Sequence, residues 1–411
     1  MNFPEAEAYL LSLGNEVAAM KLGLESIRRL LAALGDPQNN YLKVQVAGTN
    51  GKGSVCAFLD SICRTARIKV GLYTSPHLVS ITERIRINGV DISEDDFARL
   101  ASRVRETSER LVASGELPSI PTFFEQVTAI GLLTFAEVEI DVAILETGLG
   151  GRLDATTAAN AEICAITRID LDHQQYLGET IQEIAAEKAA IIHSGSRVVI
   201  GEQRPEVMNV LLGRCRAVEV EPVIANDPVA VPLGLKGRHQ VENAAIAVGL
   251  TIELRSFKRL SDDDIASGLA NARHSGRLDY EGRYLFDGAH NVGGSKALVA
   301  YLDEFEHRPI TLVFGAMEDN PVGEMLELLV PRASRVIFTE PSNARAVGYG
   351  QLLDAKSPDT GNEKTFVTDE VANAIDIAET ITPEDGIILV TGSLYLVGEV
   401  KRFLSDLKSE I

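Results

Sequence analysis

The chain has 411 residues, more than a single hydrophobic core ordinarily fills, so two domains are expected. Hydrophobic residues make up 45% and charged residues 24%, the balance of a soluble globular protein. No apolar run approaches the ~20 residues that span a bilayer, and a formal charge of −20 disfavours nonspecific nucleic-acid binding, which needs a basic surface.

The opening stretch, Met1-Asn2-Phe3-Pro4-Glu5, has no basic region followed by an apolar one, so no signal peptide is expected. Cys56, Cys63, Cys164 and Cys215 lie far apart without a Cys-x-x-Cys pair. That pattern argues against structural zinc and for reduced thiols in a cytoplasmic setting. With no coiled-coil stripe and no long edge strand in the pattern, a monomer is expected.

In chain order, residues 5–34 read as helix, with Leu10, Leu13, Val17, Leu24, Ile27, Leu31 and Leu34 near helical spacing until Gly35-Asp36-Pro37 stops it. Strands are expected at Lys43–Ala47, Lys69–Tyr73, Ile140–Glu146, Glu162–Thr167 and Arg197–Ile200, alternating with helical patterns. The alternation restarts after about residue 277, with strands at 283–287, 309–314, 334–339 and 386–391. Helices at 292–305, 321–331, 369–380 and 393–408 separate them, and Gln351–Glu363 reads as loop. The expected fold class is α/β in two domains. Residues 1–275 would form a P-loop-type, mostly parallel sheet wrapped by helices, and residues 276–411 a smaller Rossmann-like domain.

The strand Val44-Gln45-Val46-Ala47 runs directly into Gly48-Thr49-Asn50-Gly51-Lys52-Gly53-Ser54 and then into a helical pattern. Three glycines let backbone N–H groups turn inward, and a helix N-terminus adds partial positive charge, a setting for ATP phosphates. Lys52 would neutralise β/γ-phosphate charge, and Ser54 can approach the phosphates or magnesium. The spacing departs from the usual G-x-x-x-x-G-K-[ST], because Gly53 separates Lys52 from Ser54.

Candidate metal ligands follow. Asp141–Glu146 is an apolar strand closing on a carboxylate, and Glu146 at that strand end suits a hard cation such as Mg²⁺. After Ile163–Thr167 come Asp170, Asp172 and His173. Thr180 and Glu183 form a capping-box pattern for a helix to about Ile192, on which Ile181, Ile184, Ala185, Lys188 and Ile192 share a face. A lysine inside that stripe must snorkel, pair or lose its charge. An uncharged amine there could also take up CO₂ as a carbamate that binds metal.

Several further segments complete an ordered pattern: Tyr73-Thr74-Ser75-Pro76-His77-Leu78, Glu83–Gly89, Glu146–Thr156, Leu171-Asp172-His173, Ala186-Glu187-Lys188-Ala189, Gly237–Ala244, Gly276-Arg277-Leu278, Phe286–Asn291 and Thr391–Glu399. Together with the glycine loop they resemble the folylpolyglutamate synthase/dihydrofolate synthase family of the Mur ligase superfamily. The resemblance implies an amide ligase in which ATP phosphorylates a folate-type carboxylate and the amine of L-glutamate attacks the acyl phosphate. It implies two Mg²⁺ ions on Ser75, Glu146, His173 and carbamylated Lys188. It implies ATP contacts from Gly48, Thr49, Asn50, Gly51, Lys52, Gly53, Ser54, Asn243, Arg277 and Asp287, with Arg277 reaching the phosphates from an interdomain hinge.

Pterin-side contacts would come from Thr122, Phe123, Phe124, Glu125, Leu153, Asp154 and Ala155. Asp287, His290 and Ser393 would stand at the incoming amino acid. The residues alone also read Thr122 and Glu125 as a capping box, and Asn291 and Ser393 as helix caps. Departures from the family pattern are Thr157 in place of asparagine, Ser275 in place of proline, Ile169-Asp170-Leu171 in place of Gly-Leu before Asp-His, and a Phe314–Asn320 segment that lacks the lysine of the Asp-Lys-Asp motif. Two other readings remain at this stage: a Mur-like ligase for a different acid and amino acid, and a nucleotide-binding scaffold without chemistry.

Overall fold

The computed structural model describes residues 1–14, 23–227, 229–356 and 365–409. Contacts divide the chain into two compact units. One comprises Met1–His77, Ile81–Gly234 and Val241–Arg273; the other comprises Leu78–Ser80, Leu235–Gln240 and His274–Ile411.

Among the described residues, the first unit holds strands β1 (Leu42–Ala47), β2 (Val70–Tyr73), β3 (Ile85–Ile87), β4 (Val90–Asp91), β5 (Val142–Glu146), β6 (Ile163–Ile166), β7 (Arg197–Gly201) and β8 (Pro222–Ala225). They form one sheet in the order β4-β3-β2-β5-β1-β6-β7-β8. The run from β2 to β8 is parallel, and β3 and β4 add an antiparallel edge. Helices cover both faces of the parallel part, so β5 is buried at every position, which is why it reads as an unbroken apolar run. Because β1 lies between β5 and β6, the loops leaving β2, β5, β1 and β6 open at the same edge.

The second unit holds β9 (Asp279–Glu281), β10 (Tyr284–Phe286), β11 (Ile310–Phe314), β12 (Arg335–Phe338), β13 (Thr365–Val367) and β14 (Ile387–Thr391). Their order is β13-β12-β11-β14-β10-β9, parallel except for β9. Its core is built from the inward side chains of β10, β11, β12 and β14, including Leu285, Leu312, Phe314, Phe338 and Leu389.

The α/β class, the nine expected strands and the second-half helices follow the sequence pattern, whereas the short strands β3, β4, β8, β9 and β13 were not expected, and two further readings change. Residues 5–34 do not form one helix: Phe3–Ser12 and Glu25–Ala33 are separate, and Gly14 (φ 98°) and Gly23 (φ 139°) take conformations a helix does not contain. Val17 lies outside the described residues. Gln351–Ala355 belongs to the helix Tyr349–Ala355 rather than to a loop, while 357–363 lie outside the described residues.

Candidate active site

The loop after β1 is shaped by what stands against it. Gly48 has φ 152°, and a Cβ there would sit 1.8 Å from Thr167 Oγ1. Gly51 has φ 93°, and its Cβ would meet Asn243 Oδ1 at 2.2 Å. Asn243 therefore lies against the loop. Gly51 caps the helix Lys52–Thr65 with no side-chain hydrogen bond, which leaves the first-turn N–H groups suited to an anion. Thr49 and Asn50 N–H donate to Arg168 O at 2.9 and 3.1 Å, tying the loop to the end of β6.

Two lysines converge on one carbonyl here. Lys52 Nζ donates to Gly48 O at 3.0 Å and to Thr49 O at 3.1 Å, and Lys188 Nζ donates to Gly48 O at 2.9 Å. Lys188 is 4% exposed, so it does not snorkel. Burial first, and the ammonium of Lys52 second, push its amine down to about 7, with Asp172 and Asp154 pulling the other way. A substantial neutral fraction near neutral pH follows.

Glu146, buried at the end of β5, accepts the N–H of Ser75 at 3.3 Å, so these two of the four metal candidates meet. His173 caps a short helix in a left-handed conformation beside Asp172, with Nε2 3.9 Å from Asp172 Oδ1. Among the described residues no three His, Cys, Asp or Glu side chains cluster as a metal cage. The donor set fits Mg²⁺ nonetheless, since that ion commonly takes one or two carboxylates and completes its shell with water and substrate phosphates. Asp170 is engaged otherwise: its carboxylate accepts from Arg168, Arg204 and Asn50 at 3.3, 3.1 and 3.2 Å.

The expected acceptor-side residues divide. Thr122 and Glu125 form the capping box, with Thr122 N–H and Oγ1 donating to Glu125 Oε2 at 2.8 and 2.9 Å. Glu125 Oε1 is buried and, among the described residues, has no hydrogen-bond partner. Phe123 is 3% exposed, packed in the core beneath the guanidinium of Arg84 at 5.4 Å. Its ring does not face the same way as that of Phe124, because adjacent helix positions point about 100° apart. Phe124 alone stays accessible, edge-on to Tyr73 at 6.2 Å and against Gly148. Leu153 is half-buried and Ala155 buried. Both Asp154 oxygens are occupied, by Gly148 and Leu149 N–H at 2.9 Å each and by Thr156 N–H at 3.0 Å and Oγ1 at 2.5 Å. Asp154 thus knots the loop after β5.

Sequence reading missed the support beneath that knot. Gln45 on β1, 1% exposed, places Nε2 within 3.1, 2.9 and 2.8 Å of the hydroxyls of Thr147, Thr156 and Thr157. Thr157 Oγ1 also donates to Gly151 O at 2.8 Å. The available signal was a glutamine inside an apolar strand.

In the second unit, the ends of β10 and β14 are neighbours and bring Asp287, His290 and Ser393 to one edge. Asp287 accepts Leu278 N–H and Ala289 N–H at 3.0 Å each; burial raises its carboxyl, and Arg277 opposes that rise. Arg277 donates to Gly288 O at 3.2 Å. His290 Nδ1 lies 2.8 Å from Gly288 O, which puts the proton on Nδ1 and makes Nε2 the basic nitrogen. Ser393 is 1% exposed and accepts Leu396 N–H at 3.1 Å, so its hydroxyl serves as a helix cap.

Residues 46–218 match the Mur ligase middle domain, and residues 276–394 match the Mur ligase, glutamate ligase domain. The chain is 36% identical to a probable bifunctional folylpolyglutamate synthase/dihydropteroate synthase of Halobacterium salinarum, over 98% of this chain but 51% of that protein, so it spans about half the length of that relative. With the dihydrofolate synthase/folylpolyglutamate synthase of Bacillus subtilis it shares 32% identity over 94% of this chain and 95% of that protein. Among solved structures, Mycobacterium tuberculosis folylpolyglutamate synthase complexed with ADP and AMPPCP superposes with a TM-score of 0.88 at 29% identity, covering 97% and 98% of the two chains. The bifunctional folylpolyglutamate synthase/dihydrofolate synthase of Yersinia pestis, complexed with AMPPNP and Mn ion, gives 0.84 at 27% identity, covering 97% and 98%. The chain belongs to the folylpolyglutamate synthase/dihydrofolate synthase family, within the Mur ligases.

Proposed function

We propose that this chain is an ATP-dependent ligase that joins L-glutamate to a folate-type carboxylate, dihydropteroate or a tetrahydrofolate, through an acyl phosphate. The observation that carries the reading is the glycine loop with Lys52 and Lys188 converging on Gly48 O beside Glu146. A hydrolase has no need of the acceptor-side loop and the second-unit edge that accompany it. The synthase relatives favour this reading over a scaffold, and the accessible Phe124 favours a flat acceptor over other acids.

In this reading residues 1–275 take ATP and the acceptor, and residues 276–411 take the amino acid. The first-turn N–H groups after Gly51, with Lys52, hold the phosphates while the γ-phosphoryl group passes to a carboxylate oxygen and ADP departs. The amine of glutamate then attacks the acyl carbon, phosphate leaves, and Nε2 of His290 accepts the amine proton. Ser75, Glu146, His173 and Lys188 as its carbamate would hold up to two Mg²⁺ ions, which screen repulsion between carboxylate and γ-phosphate. The chain acts as a cytoplasmic monomer.

Phosphate release tests the ligase reading. Turnover of ATP should require both a folate-type acid and L-glutamate; hydrolysis indifferent to both would sink the proposal. For Lys188, Lys188→Ala should lower activity by at least about 100-fold and recover in part with added short carboxylic acids. An unimpaired Lys188→Ala variant excludes the carbamate.

A further inference from the structure

The amino acid in the proposed reaction carries two carboxylates, and the second unit must offer them a cation. In that unit the loops at the carboxyl ends of β10, β11, β12, β13 and β14 are 287–291, 315–321, 339–348, 368–370 and 392–393. Among these residues Arg345 is the one lysine or arginine, whereas Asp287, Glu318, Asp319, Glu340, Asp369 and Glu370 are acidic. A dicarboxylate approaching this edge would be repelled by most of what it meets.

Arg345 is mounted rigidly. Its carbonyl accepts Glu318 N–H at 2.9 Å, Val347 N–H donates to Ala316 O at 2.9 Å, and Met317 pairs with Ala346. Its own N–H donates to Asn343 Oδ1 at 3.0 Å. These bonds splice the loop after β12 onto the loop after β11 and fix where the side chain starts. The guanidinium itself is held loosely, 3.4 Å from Tyr395 Oη, 3.7 Å from Asp319 Oδ1, and 5.9 Å from the Tyr395 ring centroid. A committed arginine–carboxylate pair is nearer 2.8 Å and often bidentate. The side chains of Arg345 and Asp319 are 25% and 16% exposed, so the fork is sheltered and still reachable. Tyr395 stands on the helix that Ser393 caps, and Gly392 N–H donates to Ala289 O at 3.2 Å, which joins this corner to the His290 loop.

We infer that Arg345 binds a carboxylate of the incoming amino acid and sets the preference for an acidic one. The 315–321 loop carries no lysine or arginine, and Arg345, delivered from the adjacent loop onto Asp319, supplies the charge. Binding would exchange the long contact to Asp319 for a short bidentate one to the substrate. The inference rests on the ligase reading above.

The test is steady-state kinetics of the full chain with ATP, a folate-type acid and varied amino acid, for wild type, Arg345→Gln and Arg345→Lys. Arg345→Gln should raise KM for L-glutamate by about 30-fold or more, leaving KM for ATP and for the acid within about twofold. Arg345→Lys should fall between, since it keeps charge and loses the fork. Wild type should discriminate against L-glutamine or against the α-amide of glutamate, and Arg345→Gln should erase that discrimination for the analogue lacking the bound carboxylate. An unchanged glutamate KM in a folded Arg345→Gln protein overturns the inference. If that variant does not fold, Arg345→Lys decides it by the same KM. Wild-type turnover without need of any amino acid would instead overturn the ligase reading itself.

Discussion

Lys188 shows what a single residue can and cannot disclose in a sequence. Its helical spacing put it on an apolar stripe, which left snorkelling, pairing and neutrality open. Only the packing of its helix against the glycine loop, 140 residues away in sequence, decides for burial and a weakened base. Gly51 is the converse, legible as a turn glycine but not as a contact. Replacing it with alanine adds a strained positive φ and a collision with Asn243 Oδ1, together costing about 2–4 kcal/mol. In Gly51→Ala/Asn243→Ala the collision is gone and the strain remains, so urea unfolding should show the second substitution returning about 1–3 kcal/mol in that background. Strictly additive losses across that cycle would mean that the clash is not what makes glycine necessary there.

Elements followed the sequence where burial is two-sided. The central strands are mostly apolar because helices cover both faces, and their carboxyl ends deliver Ser75, Glu146 and the Asp172-His173 turn to one edge without any detail of the side chains being needed. Loops were less legible, because their order comes from polar contacts made at long range. The stretch after β5 carries an acidic residue that resembles a substrate contact, yet Asp154 spends both oxygens on its own loop. That loop rests on Gln45, whose two amide protons serve three hydroxyls. Thr157, a departure from the family pattern, is an integral member of this network and not a loose replacement. Of the two neighbouring rings Phe123 and Phe124, one belongs to the core, and the helix phase that decides which depends on the cap at Thr122.

For the molecule as a whole, two acid effects oppose each other. With a charge of −20 at pH 7 and a pI near 4.8, self-repulsion falls as the solution is acidified, which favours the compact state. His239 works against it. Burial, with Arg277 nearby, holds its imidazole down to about 4 from 6.5, so the unfolded chain binds the proton first. Stability is therefore unaffected above pH 6.5 and is lost as pH falls from 6.5 towards 4, by about 2 kcal/mol at pH 5. Glu306 extends the loss below pH 4.5, because its bonds to Arg308 hold its carboxyl down to about 2. Denaturant unfolding of wild type and His239→Asn at pH 7 and 5 separates the two effects: the difference between the proteins should widen on acidification in favour of the variant. A constant difference would show that His239 titrates normally.

Leu78–Ser80 belongs to the second unit, where Leu78 O would lie 1.9 Å from a Cβ at position 398 and Val79 O accepts from Arg402, 323 residues later. During synthesis this tripeptide leaves the ribosome long before the helix that receives it exists. The second unit is thus completed only when the last helix emerges, and a fragment begun at residue 276 would expose the groove that Gly398 keeps open for a residue it no longer has.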